Sequence, residues 1–166
     1  MGTVAHQLRP GRLDDLPALT DIYNHYVLTS PATFDLVPFT VEARREWLSH
    51  YSETGRHRLL VALDRDRILG YATSSRWRPK PAYDTTVETT VYVHPDAAGR
   101  GAGRALYERL FAELDAEDVH RAVAGIVPPN EPSLRLHLAV GFTEVGRFSE
   151  VGYKFGRYWD VIWLER

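Results

Sequence analysis

An acidic residue, Glu88, lies in Val87–His94 (VETTVYVH), a run of β-branched and aromatic residues that reads as a strand. Alternation places Glu88 on one face with Thr90 and Tyr92, opposite Val87, Val91 and Val93. A carboxylate inside an otherwise apolar strand is costly unless paired or hydrated, which marks it for proton transfer. Its ordinary pKa, about 4.3, is low for a base, so burial or a relay water has to assist. The residues alone support a second reading equally: a structural carboxylate bonded to a backbone N–H or an arginine.

Immediately after this strand comes a glycine-rich turn, Pro95–Gly103, and then the start of a helix. Gly99, Gly101 and Gly103 carry no Cβ, so backbone N–H groups can converge on one spot. The helix N-terminus adds a partial positive charge of roughly half an elementary charge. Together they form an anion cradle that fits a diphosphate. No Lys-Ser or Lys-Thr follows the glycines, which excludes a P-loop. A dinucleotide fingerprint fails too, because Arg104 replaces its third glycine and the turn lies past the middle of the chain. The plainer alternative is a glycine-rich connection with no ligand.

These groups need a scaffold, and the rest of the chain supplies its elements. Val4–Arg9 reads as an edge strand ending at Pro10-Gly11. Asp14 or Asp15 offers an N-cap to a helix bearing Leu16, Leu19, Ile22, Tyr23, Tyr26 and Val27 at intervals of three and four. Ser30–Pro38 breaks it, and a second helix starts at Thr40, carries Trp47, Leu48 and Tyr51 on one face and ends by Gly55. Leu59–Leu63 and Ile68–Ser75 read as strands joined by a hairpin turn, and Arg76–Asp84 as a cationic, aromatic, proline-stiffened loop. After the central strand and turn, Leu106, Leu110, Phe111 and Leu114 form the buried stripe of a third helix. Arg121–Val127 is a buried strand, Pro128–Glu131 a turn and Ser133–Val140 a short helix. A strand begins at Phe142, and Tyr158–Glu165 is the last. The order β-α-α-β-β-β-α-β-α-β-β is mixed α+β, and one domain spanning residues 1–166 is the simplest organisation.

Composition narrows the function classes. Hydrophobic residues make up 44% and charged residues 25%, which suits a globular domain. A net charge of -2 with no basic block argues against nucleic-acid binding, and no apolar run approaches a membrane span. Cysteine is absent, which removes disulfides and thiolate chemistry and suits a cytoplasmic protein. The seven histidines form no ligand-spaced cluster, so no metal is expected, and no G-x-S-x-G marks a serine hydrolase.

Five separated segments, in order, carry a family resemblance: DIYNHYV (Asp21–Val27), ATFD (Ala32–Asp35), AYDTTVETTVYV (Ala82–Val93), PPNEPSLRLHLAVGF (Pro128–Phe142) and GYKFGRYWDVIW (Gly152–Trp163). With the glycine turn, they make the chain resemble the GNAT N-acetyltransferases, in particular the branch that acetylates phosphinothricin, methionine sulfoximine and methionine sulfone. The resemblance implies a GNAT fold, with a central, mostly antiparallel twisted sheet flanked by helices. It also implies acetyl-CoA as cosubstrate, an amino-acid-like acceptor and a homodimer.

Residue by residue, it implies that Glu88 is the general base. It places the diphosphate on Ala98, Gly99, Arg100, Gly101, Ala102, Gly103 and Arg104. Ala98 is a departure, because the family turn usually opens there with Arg or Gln. Backbone N–H groups near Val91, Tyr92 and Val93 are expected to polarise the thioester carbonyl if that strand splays from its neighbour. Asn130 and Ser133 lie at the next helix start, where the family's Asn touches the pantetheine arm; Asn130 also reads as a helix cap. For protonating the thiolate, His137 stands where many GNAT enzymes carry tyrosine, and Tyr107 competes for the role from the apolar stripe. Arg76, Trp77, Arg78, Tyr83 and Lys154 offer charge and walls for a carboxylate-bearing substrate, and Phe34 a wall for its side chain. Two other functions fit less well: acetylation of another amine, such as a polyamine or a protein N-terminus, and a non-catalytic acyl-CoA sensor.

Overall fold

A computed structural model describes residues 6–166. Its elements follow the expected order: β1 (Gln7–Pro10), α1 (Leu16–Thr29), α2 (Arg45–Ser49), β2 (Leu59–Asp64), β3 (Arg67–Arg76), β4 (Thr86–Val93), α3 (Ala102–Leu114), β5 (Arg121–Ile126), α4 (Glu131–Ala139), β6 (Thr143–Lys154) and β7 (Arg157–Glu165). Val4 and Ala5, included in the expected first strand, lie outside the described residues. All strands join one seven-stranded sheet in the order β1-β2-β3-β4-β5-β7-β6. Among the described residues only β4 and β5 run parallel; every other neighbouring pair is antiparallel.

Each face of the sheet buries its own helix stripe. Leu106, Tyr107, Leu110, Phe111 and Leu114 of α3 pack on Leu60, Leu69, Val87 and Leu164. On the other face, Leu19 and Ile22 of α1 pack on Val61 and Tyr71, with Trp47, Leu48 and Tyr51 beside them. Each such buried side chain contributes about 1.5–3 kcal/mol relative to exposure, which offsets the entropy of ordering the chain.

Two local expectations need correction. The second helix is shorter than expected: a 3₁₀ turn over Glu42–Arg44 leads into α2, which ends at Ser49. Beyond it the chain turns back, and the Ser52 N–H donates to the His57 carbonyl. At the start of α1, Asp15 makes no side-chain cap. Its carboxylate instead accepts the Arg12 N–H and a two-pronged contact from Arg9, at 2.7 and 2.8 Å, tying β1 to α1.

What matters for function is where the parallel pair stops. β4 and β5 are in register at only three positions, the last being Glu88 opposite Val123. Past that point β5 stays with β7 as far as Ile126, while β4 stays with β3 as far as Val93. A gap therefore opens in the middle of the sheet. The Thr85 carbonyl accepts from β5 and the His94 N–H donates towards β3, so odd-numbered residues of β4 aim their amides at the β5 side. The Val91 and Val93 amides thus face the gap.

Candidate active site

A cavity of about 470 Å³ fills this gap and runs to the glycine turn. Glu88, Val91, Tyr92, Val93, Ala98, Gly99, Gly101, Ala102, Gly103, Arg104, Asn130, Ser133 and His137 all line it, so its wall contains nearly every residue assigned to catalysis or the cosubstrate. Arg100 does not line it; its carbonyl accepts from His6 Nε2 at 2.8 Å.

The glycines act in two ways. Gly99 and Gly101 hold φ of +74° and +85°, where other residues are strained, and a Cβ at either would meet open space. They set the path of the turn. At Gly103 the demand is closeness, because a Cβ would stand 3.1 Å from Leu136 Cδ2 and 3.5 Å from Val93 Cγ2. The N-cap of α3 is Gly101, with no side-chain cap, so the first amides of the helix are left for an anion. Arg104 adds less charge than its position suggests, since it pairs with Glu108 at 2.7 Å. This donor set suits a diphosphate, and the backbone supplies most of it.

Glu88 is half-buried and has no hydrogen-bond partner among the described residues. Burial pushes its pKa up, and the positive charge of Arg78 opposes the rise. At the far wall, Tyr107 and His137 form a pair. His137 Nδ1 lies 2.8 Å from the Ser133 carbonyl, which can only accept, so Nδ1 carries the proton. Nε2 then accepts from the Tyr107 hydroxyl at 3.0 Å. Burial depresses the His137 pKa against the pull of the Ser133 carbonyl, keeping the ring neutral at neutral pH. The same burial holds the Tyr107 hydroxyl protonated. Asn130 Oδ1 accepts the Ser133 N–H at 3.3 Å, so Asn130 caps α4 as well as lining the cavity.

A second cavity, of about 380 Å³, reaches Glu88 from the Tyr71 face of the sheet. Thr90 and Tyr92 form its floor, and Tyr23, Trp47, Tyr51 and Tyr71 its walls. None of the six residues assigned to the acceptor lines either cavity. Arg76 is spent on its own loop, donating to the Arg78 and Pro79 carbonyls. Arg78 stacks 4.7 Å from the Trp77 ring centre, with Tyr83 on the edge of that ring. The Phe34 ring fills the space a Cβ at Gly152 would need. Lys154 departs furthest from its expected role: Nζ donates to the Ser30 and Thr33 carbonyls, each at 2.8 Å, and pins the loop after α1.

Sequence reasoning missed Arg44 in the second cavity. Its spacing to Trp47 and Tyr51, three and then four residues, was the available signal, since it puts a cation within the apolar stripe of a short helical segment.

The GNAT acetyltransferase domain model matches residues 8–163, and this chain belongs to that family. It is an acetyl-CoA-dependent N-acetyltransferase. The phosphinothricin N-acetyltransferase of Streptomyces coelicolor is 60% identical, over 99% of this chain and 98% of that protein. The L-methionine sulfoximine/L-methionine sulfone acetyltransferase of Salmonella typhimurium is 37% identical, over 91% and 88%. Among solved structures, a phosphinothricin acetyltransferase from Sinorhizobium meliloti in complex with acetyl-CoA superposes with a TM-score of 0.92. It is 33% identical, with 97% of this chain and 87% of that one covered.

Proposed function

We propose that this enzyme acetylates the α-amino group of a small amino-acid analogue such as phosphinothricin, methionine sulfoximine or methionine sulfone, with Glu88 as general base. One observation carries the reading. Glu88, unpartnered and raised in pKa, stands where β4 and β5 part, and it is shared by a cavity ending in an anion cradle and a second walled by aromatic rings.

Acetyl-CoA supplies a thioester whose acetyl carbon the free amine attacks, releasing the thiol. The turn from Ala98 to Arg104 holds the diphosphate through main-chain amides, and the Val91 and Val93 amides orient the acyl end. Glu88 takes the proton from the substrate ammonium, its raised pKa bringing it closer to a working pH. A departing thiol has a pKa near 8.5, so it needs a hydrogen bond more than a strong acid. Neutral His137 has no proton to give from Nε2, which accepts from Tyr107; we assign the Tyr107 hydroxyl as the donor to sulfur, its one proton turning from Nε2 to the departing sulfur. Arg78, outside both cavities, acts on the base through its charge, and the same field favours a substrate carboxylate held near Glu88. We place the enzyme in the cytoplasm, in keeping with its lack of cysteine.

A thiol-release assay with acetyl-CoA and a panel of amines tests the substrate class. Turnover of phosphinothricin, methionine sulfone or methionine sulfoximine is expected, at rates well above those for polyamines. Activity confined to polyamines would refute the assignment.

A further inference from the structure

The second cavity holds a cation that the mechanism above does not use. Arg44 is 4% exposed, and its Nε and Nη2 are buried with no hydrogen-bond partner among the described residues. Its guanidinium lies 3.8 Å from the Trp47 ring centre and 4.4 Å from that of Tyr23. Stacking satisfies the faces of the guanidinium and leaves the N–H groups of Nε and Nη2 open. Two carboxylates line the cavity with it, Asp35 and Glu88; Asp35 accepts from the Tyr23 hydroxyl, and neither forms an ion pair with Arg44. Burying an arginine with donors unmet is expensive, so such a group calls for an acceptor from outside the chain.

Position identifies which acceptor. The Arg44 guanidinium is held among the rings of Tyr23, Phe39 and Trp47, contributed by α1, the loop after it and α2, whereas Glu88 stands on β4 opposite Ser75 and makes no contact with it. Arg44 thus lines the part of the cavity built by the helices, and the base the part built by the sheet. In an α-amino acid the amine and carboxylate share one carbon, so the carboxylate stays with the amine, near Glu88. The far end of the side chain is what reaches Arg44. We propose that Arg44 is the specificity anchor for a tetrahedral oxo group, on phosphorus or sulfur, at the far end of the acceptor's side chain, its planar donors binding the oxygens while Tyr23 and Trp47 pack the attached methyl. The assignment rests on the reading of function above and adds the residue that selects the side chain.

The test compares acceptors within one protein preparation. kcat/KM is measured for methionine sulfone, phosphinothricin and methionine, which has no side-chain oxygen, in wild type, Arg44→Met and Arg44→Lys. Because the readout is a ratio between acceptors, it is independent of how much of a variant folds. Wild type should prefer the two oxo acceptors. Arg44→Met should lose about tenfold to a hundredfold of that preference, mainly through KM, and Arg44→Lys less. An equal loss for all three acceptors, or a wild type that ranks methionine level with its sulfone, overturns the role of Arg44 alone. A wild type inert to all three but active on another amine overturns the proposed function, and this assignment with it.

Discussion

Glu88 was visible in the sequence because strand alternation exposes a carboxylate among apolar neighbours. Its isolation was not, since that depends on side chains contributed by other elements. The isolation has a thermodynamic sign. Burial raises the pKa of Glu88 in the folded state, so the native protein holds the Glu88 proton more tightly than the unfolded chain. The stability this contributes is complete below the unfolded value, about 4.3, and is lost as pH rises through the higher folded value. Glu88→Gln should therefore melt at a higher temperature than wild type at pH 7.5, and the difference should shrink towards pH 4. Identical melting temperatures at both pH values would contradict the burial argument. The His137 side chain shows the opposite limit of legibility: its proton sits on Nδ1 because of the Ser133 carbonyl, and its partner is Tyr107 on another helix. No spacing in the sequence announces that pair.

At the scale of elements, order was readable and divergence was not. Turn residues and apolar periodicity gave the succession of strands and helices. The parting of β4 from β5 arises because β5 follows β7, a long-range pairing outside the reach of local pattern. The contacts of Lys154 were hidden for a similar reason, since the loop it pins lies some 120 residues earlier in the chain. Holding β4 in place falls partly to Gly70 of β3. A Cβ there would lie 2.6 Å from the Tyr92 carbonyl oxygen and 3.0 Å from Val93 Cα, and neither backbone atom can yield cheaply. Gly70→Ala should cost about 1–3 kcal/mol in urea unfolding and weaken acetyl-CoA binding, because it displaces the strand that orients the acyl end. Wild-type stability and affinity in that variant would show that β4 tolerates the shift.

At the scale of the whole molecule, the β6–β7 hairpin leaves apolar surface exposed. Phe148, Val151, Tyr153, Phe155 and Tyr158 are each more than half accessible. An apolar patch of this kind usually marks an interface, and it supports the homodimer that the family resemblance implies. Light scattering should give twice the chain mass of 18.9 kDa, and Phe148→Glu with Tyr153→Glu should shift it towards the monomer. A monomeric wild type would contradict that reading. The central claim concerns the chemistry between the two cavities, and the pH dependence of kcat/KM tests it most directly, measured for wild type and Glu88→Gln alongside acetyl-CoA affinity. The account predicts a wild-type rate that rises with pH as Glu88 loses its proton, and a Glu88→Gln enzyme that still binds acetyl-CoA but is slowed about 10²–10⁴-fold, with that rise gone. A Glu88→Gln enzyme with an unchanged rate and the same pH profile would contradict it.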